Sequence, residues 1–422
     1  MAIKFNAKRL VAGGVCLTSL LLTSCAPAAI NVAAGPNAQS RIQAALIAAK
    51  PGQSVLLGAG KFELQDGLSL DVANVSLIGA GPDKTILSFA QQTGAGEGLM
   101  VTSDGVVLQG FAVEDTKGDG IKSKGADNIT YRDLRIEWTR GPHTDNGAYG
   151  IYPVESENVL IDKVVVRGSS DAGIYVGQSR NIIVRNSLAE KNVAGIEIEN
   201  SINADVHDNV AQHNTAGILV FDLPGLPQVG GGNVRIANNK SIDNDLANFG
   251  KPGAIVSSVP KGVGLIVMAN KGVWVQGNEF AGNGTAHVLV VAYQYKEIQD
   301  PRYIPLPRDV SISQNKFGPG GTTPDGPLAP LAPAVGGKLP DVLWDGATRW
   351  TLKEVTGNRE MSDIVKIQMR HDGPSSFLNL NVPLVGADLR TAKPTQDVPR
   401  GDGVALPAFV PIKLPQDNAV KG

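Results

Sequence analysis

Apolar and polar residues alternate in short runs between residues 37 and 317, and the runs recur at a nearly constant spacing. The segments AGIYVGQSRNIIVRNSLAEKNV, AGIEIENSINADVHDNVAQHNT and AGILVF follow one another, so that Gly173, Gly195 and Gly217 are each 22 residues apart. Alternation with period two and many β-branched residues predicts strands, whereas helical repeats space their apolar residues three and four apart. A fixed period of this length predicts a solenoid, with three short strands in each coil of a parallel β-helix.

The same alternation predicts which side chains fill the core and which form a turn. One apolar residue of each coil should point inward and stack on its neighbours: Ile121, Ile151, Ile174, Ile196, Ile218, Leu265 and Val288. Successive coils lie about 4.8 Å apart, so an asparagine that recurs once per coil should form a ladder of side-chain amides. The predicted ladder, with left-handed backbone angles and a structural role, consists of Asn128, Asn158, Asn181, Asn203 and Asn233.

Both ends of the repeat differ in composition from its middle. The segment SRIQAALIAAKPGQSVLLGAGKFEL predicts an amphipathic helix followed by the first coil, and the helix would close an open sheet edge. After Phe317 the chain becomes rich in Pro and Gly, which predicts an irregular C-terminal cap and strap. The predicted division is a signal peptide (1–24), a lipid-anchored linker (25–36), the β-helix (37–317) and the cap (318–422).

The N-terminus has the features of an export signal. Lys4, Lys8 and Arg9 precede an apolar run that is too short for an ordinary membrane span. Leu22-Thr23-Ser24-Cys25 resembles the bacterial lipobox, which implies cleavage before Cys25 and acylation of that residue. Ala26, in place of Asp, implies the outer membrane of a cell envelope. The alternative is a plain secretory signal in which Cys25 is incidental.

Charge and cysteine content narrow the class of protein further. The formal net charge is −2 at pH 7, so there is no basic surface of the kind that binds nucleic acid. Cys16 would leave with the signal and Cys25 would carry the lipid, which leaves no pair for a disulfide. Burial and hydrogen bonding must therefore hold this exported fold together.

Taken together, the repeat resembles the right-handed pectate-lyase-like β-helix superfamily over residues 37–317. The layout and the lipobox are most similar to bacterial paired-repeat β-helix lipoproteins that lack an assigned activity. In that group the gene often lies beside one for another exported protein. The resemblance implies an all-β solenoid with a helical N-terminal cap, a polysaccharide or oligosaccharide ligand, and a co-expressed protein as a second candidate partner.

Two columns of residues should point outward from the first strand of each coil. Along the axis they change from basic to aromatic, then acidic, then apolar. The first column is Lys122, Tyr152, Tyr175, Glu197, Leu219, Ile266 and Leu289, and the second is Lys124, Val154, Gly177, Glu199, Phe221 and Met268. The apolar end is too large to stay exposed. The 47-residue step from Gly217 to Gly264 supplies extra loops, and either these loops or the C-terminal strap is expected to cover it. The alternative is a partner-binding site, which would suit a scaffold.

The early coils carry the candidate binding residues, which should lie within about 15 Å of one another. Tyrosine faces can stack on sugar rings, lysines can pair with uronates and carboxylates can bind hydroxyl groups. The candidate substrate-binding residues are Lys122, Lys124, Tyr152, Tyr175, Glu197 and Glu199. The loop WTRGPHTDNGA, with His143, Asp145 and the adjacent Tyr149, could wall one side. A solvated face of mixed charge explains the same residues without a ligand.

The stretch YGIYPV resembles the Tyr-Gly-x-Asp-Pro-His motif of some bacterial mannuronan epimerases. Tyr149, Gly150 and Pro153 match, and Lys122 stands one coil earlier, but Tyr152 replaces the Asp and Val154 replaces the His. Each lost acid–base group typically contributes ~10²–10⁴ in rate, which argues against the usual epimerase mechanism. Tyr149 and Lys122 remain candidate catalytic residues on this resemblance.

Two other chemistries are considered for the same coils. Glu197 and Glu199 leave one strand in the same direction, about 6.6 Å apart along the backbone, a separation that glycoside hydrolysis allows. Asp119, Asp145 and Asp171 precede successive glycines, which suggests either turns or a calcium site. No spacing resembles a transition-metal site, so no cofactor is expected, with calcium as the alternative.

Three functions therefore remain open from the sequence. The first is binding of an acidic or neutral polysaccharide on the early coils. The second is a lyase, epimerase or hydrolase with a diverged site, and the third is a surface scaffold for a co-expressed exported protein.

Overall fold

The alternating runs form parallel strands in a computed structural model. The structure describes residues 28–94, 96–363, 365–370, 375–389, 392–397 and 406–416. Each strand pairs with the strands one coil before and one coil after it, so the chain winds as a parallel β-helix. The predicted signal peptide and Cys25 lie outside the described residues.

One face of the β-helix is a sheet that carries the predicted outward columns, and we call it the front sheet. Its strands are short because each coil crosses this face once and then turns. They are Leu68–Leu70, Leu99–Val101, Ile121–Lys124, Ile151–Val154, Ala172–Gly177, Ala194–Glu199, Ala216–Phe221, Val263–Met268, Ala286–Val291, Val342–Trp344 and Phe377–Asn379.

The rest of the solenoid wall is a second, continuous sheet, the back sheet. The long strand Glu157–Arg167 pairs with two successive strands of the next coil, because the chain there bends at Asn186, which has a φ of 53°. The strands are Ile30–Val32, Ser54–Leu57, Gly60–Glu63, Ser76–Ile78, Thr85–Ser88, Val107–Glu114, Thr130–Glu137, Glu157–Arg167, Arg180–Arg185, Leu188–Glu190, Ile202–His207, Val210–Gln212, Gly232–Ala237, Lys240–Ile242, Lys271–Gln276, Glu279–Ala281, Arg308–Ser313, Lys316–Phe317 and Ile367–Arg370.

The predicted inward column forms the centre of the core. Ile151 is in register with Ile174, Ile174 with Ile196, and Ile196 with Ile218. All seven predicted residues are fully buried in one hydrophobic cluster that runs along the axis. Branched aliphatic side chains, isoleucine at the first five of the seven positions, therefore stack from coil to coil, which confirms the prediction from period two.

The predicted asparagine ladder is also present. The side-chain amides of Asn158, Asn181, Asn203 and Asn233 each donate to the amide oxygen one coil earlier, at 2.6–3.2 Å. All members have positive φ angles, as the turn requires. Two further ladders, not predicted from the sequence, run through asparagines that are buried except at Asn315: Asn209, Asn239, Asn278 and Asn315, and Asn192, Asn214, Asn244 and Asn283. In three coils the two ladders are five residues apart.

The N-terminal end is covered as predicted. An α-helix, Ala38–Ala48, buries Ile42 and Leu46 in the main core, and Gln43 Nε2 donates to the carbonyl of Ser69 at 2.9 Å. The preceding strand Ile30–Val32, inside the segment assigned to the linker, pairs with Ser54–Leu57. Among the described residues, no helix is long and apolar enough to cross a membrane.

The C-terminal third combines irregular segments with continued coils. A 3₁₀ helix, Gly326–Val335, lies within the Pro/Gly-rich segment, and an antiparallel hairpin pairs Arg349–Glu354 with Gly357–Ser362. Parallel pairing extends past residue 317, because Val342–Trp344 and Ile367–Arg370 add to the front and back sheets. Another 3₁₀ turn, Ile255–Ser258, lies in the loop before Val263.

The last described segment, 406–416, is extended and crosses the back sheet. Trp274 Nε1 donates to the carbonyl of Pro407 at 2.9 Å, and Leu414 packs on Leu160 and Ile183 from earlier coils. The chain end thus runs back along the axis as a strap.

Candidate functional site

Three tyrosines meet on the front sheet at the second third of the β-helix. The ring centres of Tyr149 and Tyr152 are 4.6 Å apart, those of Tyr149 and Tyr175 are 4.5 Å apart, and those of Tyr152 and Tyr175 are 4.9 Å apart. Four acidic residues adjoin them, and we call the whole group the tyrosine–carboxyl cluster: Tyr149, Tyr152, Tyr175, Asp119, Asp171, Glu197 and Glu199.

The strand register explains how Tyr175 reaches a carboxylate on the next coil. Tyr175 pairs with Glu197 and Gly177 with Glu199, and the Tyr175 hydroxyl donates to Glu199 Oε1 at 2.6 Å. The ring reaches across Gly177, where a Cβ atom would lie 2.5 Å from the ring carbon Cε1 and from the hydroxyl oxygen. Glycine at this outward position is therefore what allows the Tyr175–Glu199 bond.

The carboxyl groups of the cluster bind protons more tightly than ordinary ones. Burial, then the nearby charge of Glu199, raises the pKa of Asp171 to about 7, although the Tyr149 hydroxyl lies 3.4 Å away and opposes the shift. Burial, with Asp171 and Glu199 close by, raises the pKa of Glu197 well above its usual range. Burial likewise raises the pKa of Glu199. These groups can therefore hold protons at neutral pH, as general acids do.

Asp119 lies on the early-coil side of the cluster. Burial raises its pKa to about 6, while the bond from the Tyr149 backbone N–H, at 3.1 Å, and the charge of Lys122 act in the opposite direction. Lys251, from the loop 243–262, also lies close enough to lower this pKa. The loop therefore reaches back over coils that precede it by more than a hundred residues.

The tyrosines remain neutral at any physiological pH. Burial raises the pKa of Tyr152 to about 12, and burial together with neighbouring carboxylates raises the pKa of Tyr149 and Tyr175 further. Tyr149, a candidate catalytic residue, can thus donate a hydrogen bond, whereas the surroundings oppose its action as a phenolate base.

The two predicted lysines lie at the rim and are both paired. Lys122 Nζ lies 3.2 Å from Glu97 Oε1 and 4.8 Å from the centre of the Tyr152 ring. Lys124 Nζ lies 3.7 Å from Glu155 Oε1, in solvent. Glu97 was missed from the sequence, although a signal exists: it precedes Leu99 by two residues, as Asp119 precedes Ile121 and Tyr149 precedes Ile151.

The six predicted binding residues do not share one open surface. Tyr175 and Glu197 are each only 4% exposed and Glu199 is 9% exposed, whereas Tyr152 and Lys122 are half-buried and Lys124 is exposed. All six leave the front sheet outward, but the chain itself encloses Tyr175, Glu197 and Glu199. We call this region the recess: its inner side, at Glu197 and Glu199, is enclosed by the chain, and its rim, near Lys122, is partly exposed. Their role as substrate-binding residues stays a prediction.

The predicted side wall takes little part in the recess. His143 and Asp145 are exposed and pair with each other at 3.6 Å, and only Tyr149 reaches the cluster. The three aspartates considered for calcium are therefore divided, because Asp119 and Asp171 adjoin the tyrosines and Asp145 does not. Within the described ranges, no group of three His, Cys, Asp or Glu side chains is arranged to hold a metal ion. The cofactor expectation, with calcium as its alternative, stays a prediction.

Two surface cavities lie away from this recess. One of about 550 Å³ adjoins the N-terminal helix beside Lys61, and one of about 480 Å³ lies beside Leu339 and Phe377. Neither is lined by a member of the cluster.

The apolar late coils of the front sheet are covered, as predicted. Leu219 is fully buried, and Phe221, Ile266 and Leu289 are nearly so. They form a second hydrophobic cluster with side chains from three covering segments: Val256 and Val259 from the loop 243–262, Leu328 and Ala332 from the 3₁₀ helix, and Leu380 and Val382 after the last front strand.

Known proteins share this architecture. The family model described as right handed beta helix region matches residues 87–225. The A-module of mannuronan C-5 epimerase AlgE4 from Azotobacter vinelandii aligns over 82% of this chain and 92% of its own, with 15% identity and a TM-score of 0.54. The AlgE6 A-module of the same organism aligns over 82% and 93%, with 17% identity and a TM-score of 0.51. No curated protein matches the sequence.

The coils and these matches define the class of protein. The chain folds as a right-handed parallel β-helix, an all-β solenoid, and the family match over residues 87–225 agrees with that fold. At such identities the similarity to the epimerase modules shows the fold alone. The closer resemblance to paired-repeat lipoproteins stays a prediction.

Proposed function

We propose that this protein is carbohydrate-active: it binds a glycan at the rim of the recess and exchanges protons with it through the tyrosine–carboxyl cluster. The observation that carries the proposal is the enclosure of three coupled carboxyl groups, Asp171, Glu197 and Glu199, by tyrosine rings. Isolated buried carboxyls are costly to a fold, and groups of them with raised pKa values are typical of functional sites.

The members of the cluster suit different roles in glycan binding and proton transfer. Asp171, with a pKa of about 7, is present in both protonation states at neutral pH and can either give or take a proton. Tyr152 is half-buried and offers part of its ring face to a sugar. Glu197 and Glu199 lie behind these residues, and their raised pKa values favour protonation, so they can share protons with Asp171.

The fold and the N-terminus support a glycan ligand in the cell envelope. Two structures of the same fold are named for the epimerisation of mannuronan, a polysaccharide. The lipobox-like Leu22-Thr23-Ser24-Cys25 would hold the protein at the outer membrane through a lipid on Cys25. The anchor and the location are part of the proposal.

Binding without turnover is the second candidate function. It is favoured by the burial of Glu197 and Glu199, since an enclosed inner side leaves only the rim to contact a sugar. The scaffold hypothesis loses its main support, because the apolar face that motivated it is covered by the chain's own loops.

Proton NMR in D₂O distinguishes these functions. Residues 26–422 would be incubated with a panel of uronate and neutral polysaccharides. New anomeric or alkene signals, or loss of a ring-proton signal by exchange, would establish turnover and name the reaction. Broadened sugar lines alone would reduce the function to binding, and unchanged spectra with every glycan would contradict both.

Variants assign the effect to the cluster. Asp171→Asn should reduce turnover ~10²-fold or more, because a general acid or base typically contributes that much. Glu157→Gln, on an exposed residue of the back sheet, is the matched control and should change nothing. Equal activity in both variants would move the chemistry elsewhere.

A further inference from the structure

We propose that the recess selects glycans without carboxylate groups and disfavours polyuronates. This inference rests on the proposed function and names the substrate class of the same site. It runs against the expectation that the early lysines recognise uronate carboxylates, and it rests on the pairing of those lysines and on the charge of the recess.

The two lysines of the outward columns, Lys122 and Lys124, are already paired with carboxylates. Lys122 is paired with Glu97 at 3.2 Å, and both side chains are about three-quarters buried, at 23% and 27% exposure. Lys124 is paired with Glu155 at 3.7 Å and is 57% exposed. Lys251 acts on Asp119. A uronate that binds Lys122 would have to displace Glu97 and leave that carboxylate unpaired in a partly buried position, whereas Glu155, the partner of Lys124, is exposed.

Acidic groups dominate the rest of the recess. Asp119 and Asp171 lie at or near the rim, and Glu197 and Glu199 lie behind them. An incoming carboxylate would enter the field of whichever of these groups are ionised, in surroundings where water screens poorly. An uncharged sugar avoids this repulsion, and its hydroxyl groups can accept hydrogen bonds from the protonated carboxyls and from the tyrosine hydroxyls.

The aromatic part of the recess favours the same ligands. Tyr149 and Tyr152 offer partly exposed ring surface beside the acids, which suits the C–H face of a pyranose and needs no charge. Lys122 already lies over the Tyr152 ring, so the nearest cation contacts the tyrosine and the Glu97 carboxylate together. Lys122 thus has two partners before any uronate arrives.

Matched polymers test the inference. Polymannuronate and polygalacturonate would each be compared with the product of carboxyl reduction, which keeps the linkages and replaces each carboxylate by a hydroxymethyl group. Binding would be followed by calorimetry and by broadening of sugar lines, at low salt and at about 0.3 M NaCl, where screening is strong. We expect at least one reduced polymer to bind about tenfold or more tightly than its parent, and salt to narrow the gap.

A pair of variants locates the selectivity. Glu97→Gln frees the half-buried Lys122 and should raise the affinity for the parent polyuronate several-fold. Glu155→Gln frees the exposed Lys124 and should change little, because water already screens that pair.

The outcomes are distinct for the two proposals. Tighter binding of the reduced polymers, with a smaller difference in affinity in the Glu97→Gln variant, supports the proposed function and the selectivity. Equal or tighter binding of the parent polyuronates overturns the selectivity and leaves the proposed function standing. Binding of no polymer from either set, together with unchanged spectra across the wider glycan panel, overturns the proposed function and the selectivity with it.

Discussion

The early and late coils of the front sheet occupy equivalent positions and have opposite chemistry. Glu197 and Leu219 are direct neighbours in the strand register, as are Glu199 and Phe221. On one side of that boundary the outward residues are tyrosines and acids beside a partly open rim, and on the other side they are apolar and covered. The solenoid thus fixes only the inward half of each strand, and the outward half is free to specialise coil by coil.

The covering segments produce the difference between the two regions. The loop 243–262 places Val256 and Val259 over the late coils, while its Lys251 approaches Asp119 in the early ones. Asn248 braces this loop by donating to the carbonyls of Val256 and Val259, both at 2.9 Å. One loop therefore helps to bury the apolar late coils and also places a positive charge near the acidic early coils.

Exchange of the boundary residues should give the largest effect. Leu219→Glu places a carboxyl in a fully buried apolar site without a partner and should lower the free energy of unfolding by about 3–5 kcal/mol. Urea denaturation followed by circular dichroism measures the change. Glu197→Leu, the reciprocal variant, should leave stability nearly unchanged or raise it while it weakens the response to glycan. Similar destabilisation by both would show that the two regions do not differ.

The second-largest difference between the early and late coils should lie in how their stability depends on pH. Unfolded Asp171 loses its proton near the ordinary pKa of 3.8, whereas the folded protein retains it up to about pH 7. Between these values the folded state binds more protons, so stability that is full below pH 4 is lost as the pH rises toward 7. Asp171 is partly exposed to water, so we expect this pH effect on stability to be smaller than the destabilisation by Leu219→Glu.

The double variant Asp171→Asn, Glu197→Gln should reduce that slope in melting experiments from pH 4 to 8. Burial also raises the pKa of Asp222 to about 7 and the pKa values of Asp119 and Asp345 to about 6, so these groups should leave a residual slope of the same sign. A wild-type stability that increases from pH 4 to 7, with no change in the double variant, would contradict the raised pKa values.

Loss of one hydroxyl group should have a moderate effect in the early coils. Tyr175→Phe removes the donor of the 2.6 Å bond to Glu199 and leaves that buried carboxyl without it, at a cost of about 1–3 kcal/mol. The pKa of Glu199 should rise further, because this bond lowers it. Denaturation midpoints and carbon NMR of labelled glutamate measure the two changes. Tyr295→Phe, at a 60% exposed tyrosine, is the control and should be neutral.

Substitution at Lys124, the exposed end of the second outward column, should have the smallest effect. Lys124→Ala breaks an ion pair in solvent and should change the free energy of unfolding by less than about 0.5 kcal/mol. Retention of an uncharged glycan, measured by affinity electrophoresis, should also be unchanged. A strong loss of retention would extend the binding surface outward to this lysine.

The sequence by itself determined the repeating part of this protein. The 22-residue period, the stack of Ile151, Ile174 and Ile196, the asparagine ladder and the helix at the N-terminus all follow from local spacing. Each coil repeats the contacts of the one before, so one period fixes the register of the whole stack. The asparagines five residues apart carried the same kind of signal and could have been found.

Only the tertiary structure decided which outward residues form a site. It enclosed Tyr175, Glu197 and Glu199, paired Lys122 with Glu97 and brought Asp119 and Asp171 to the tyrosines. These outcomes depend on loops of irregular length and on the fold-back of the C-terminal segments. Their placement is set by packing between residues far apart in the chain, which no local period encodes.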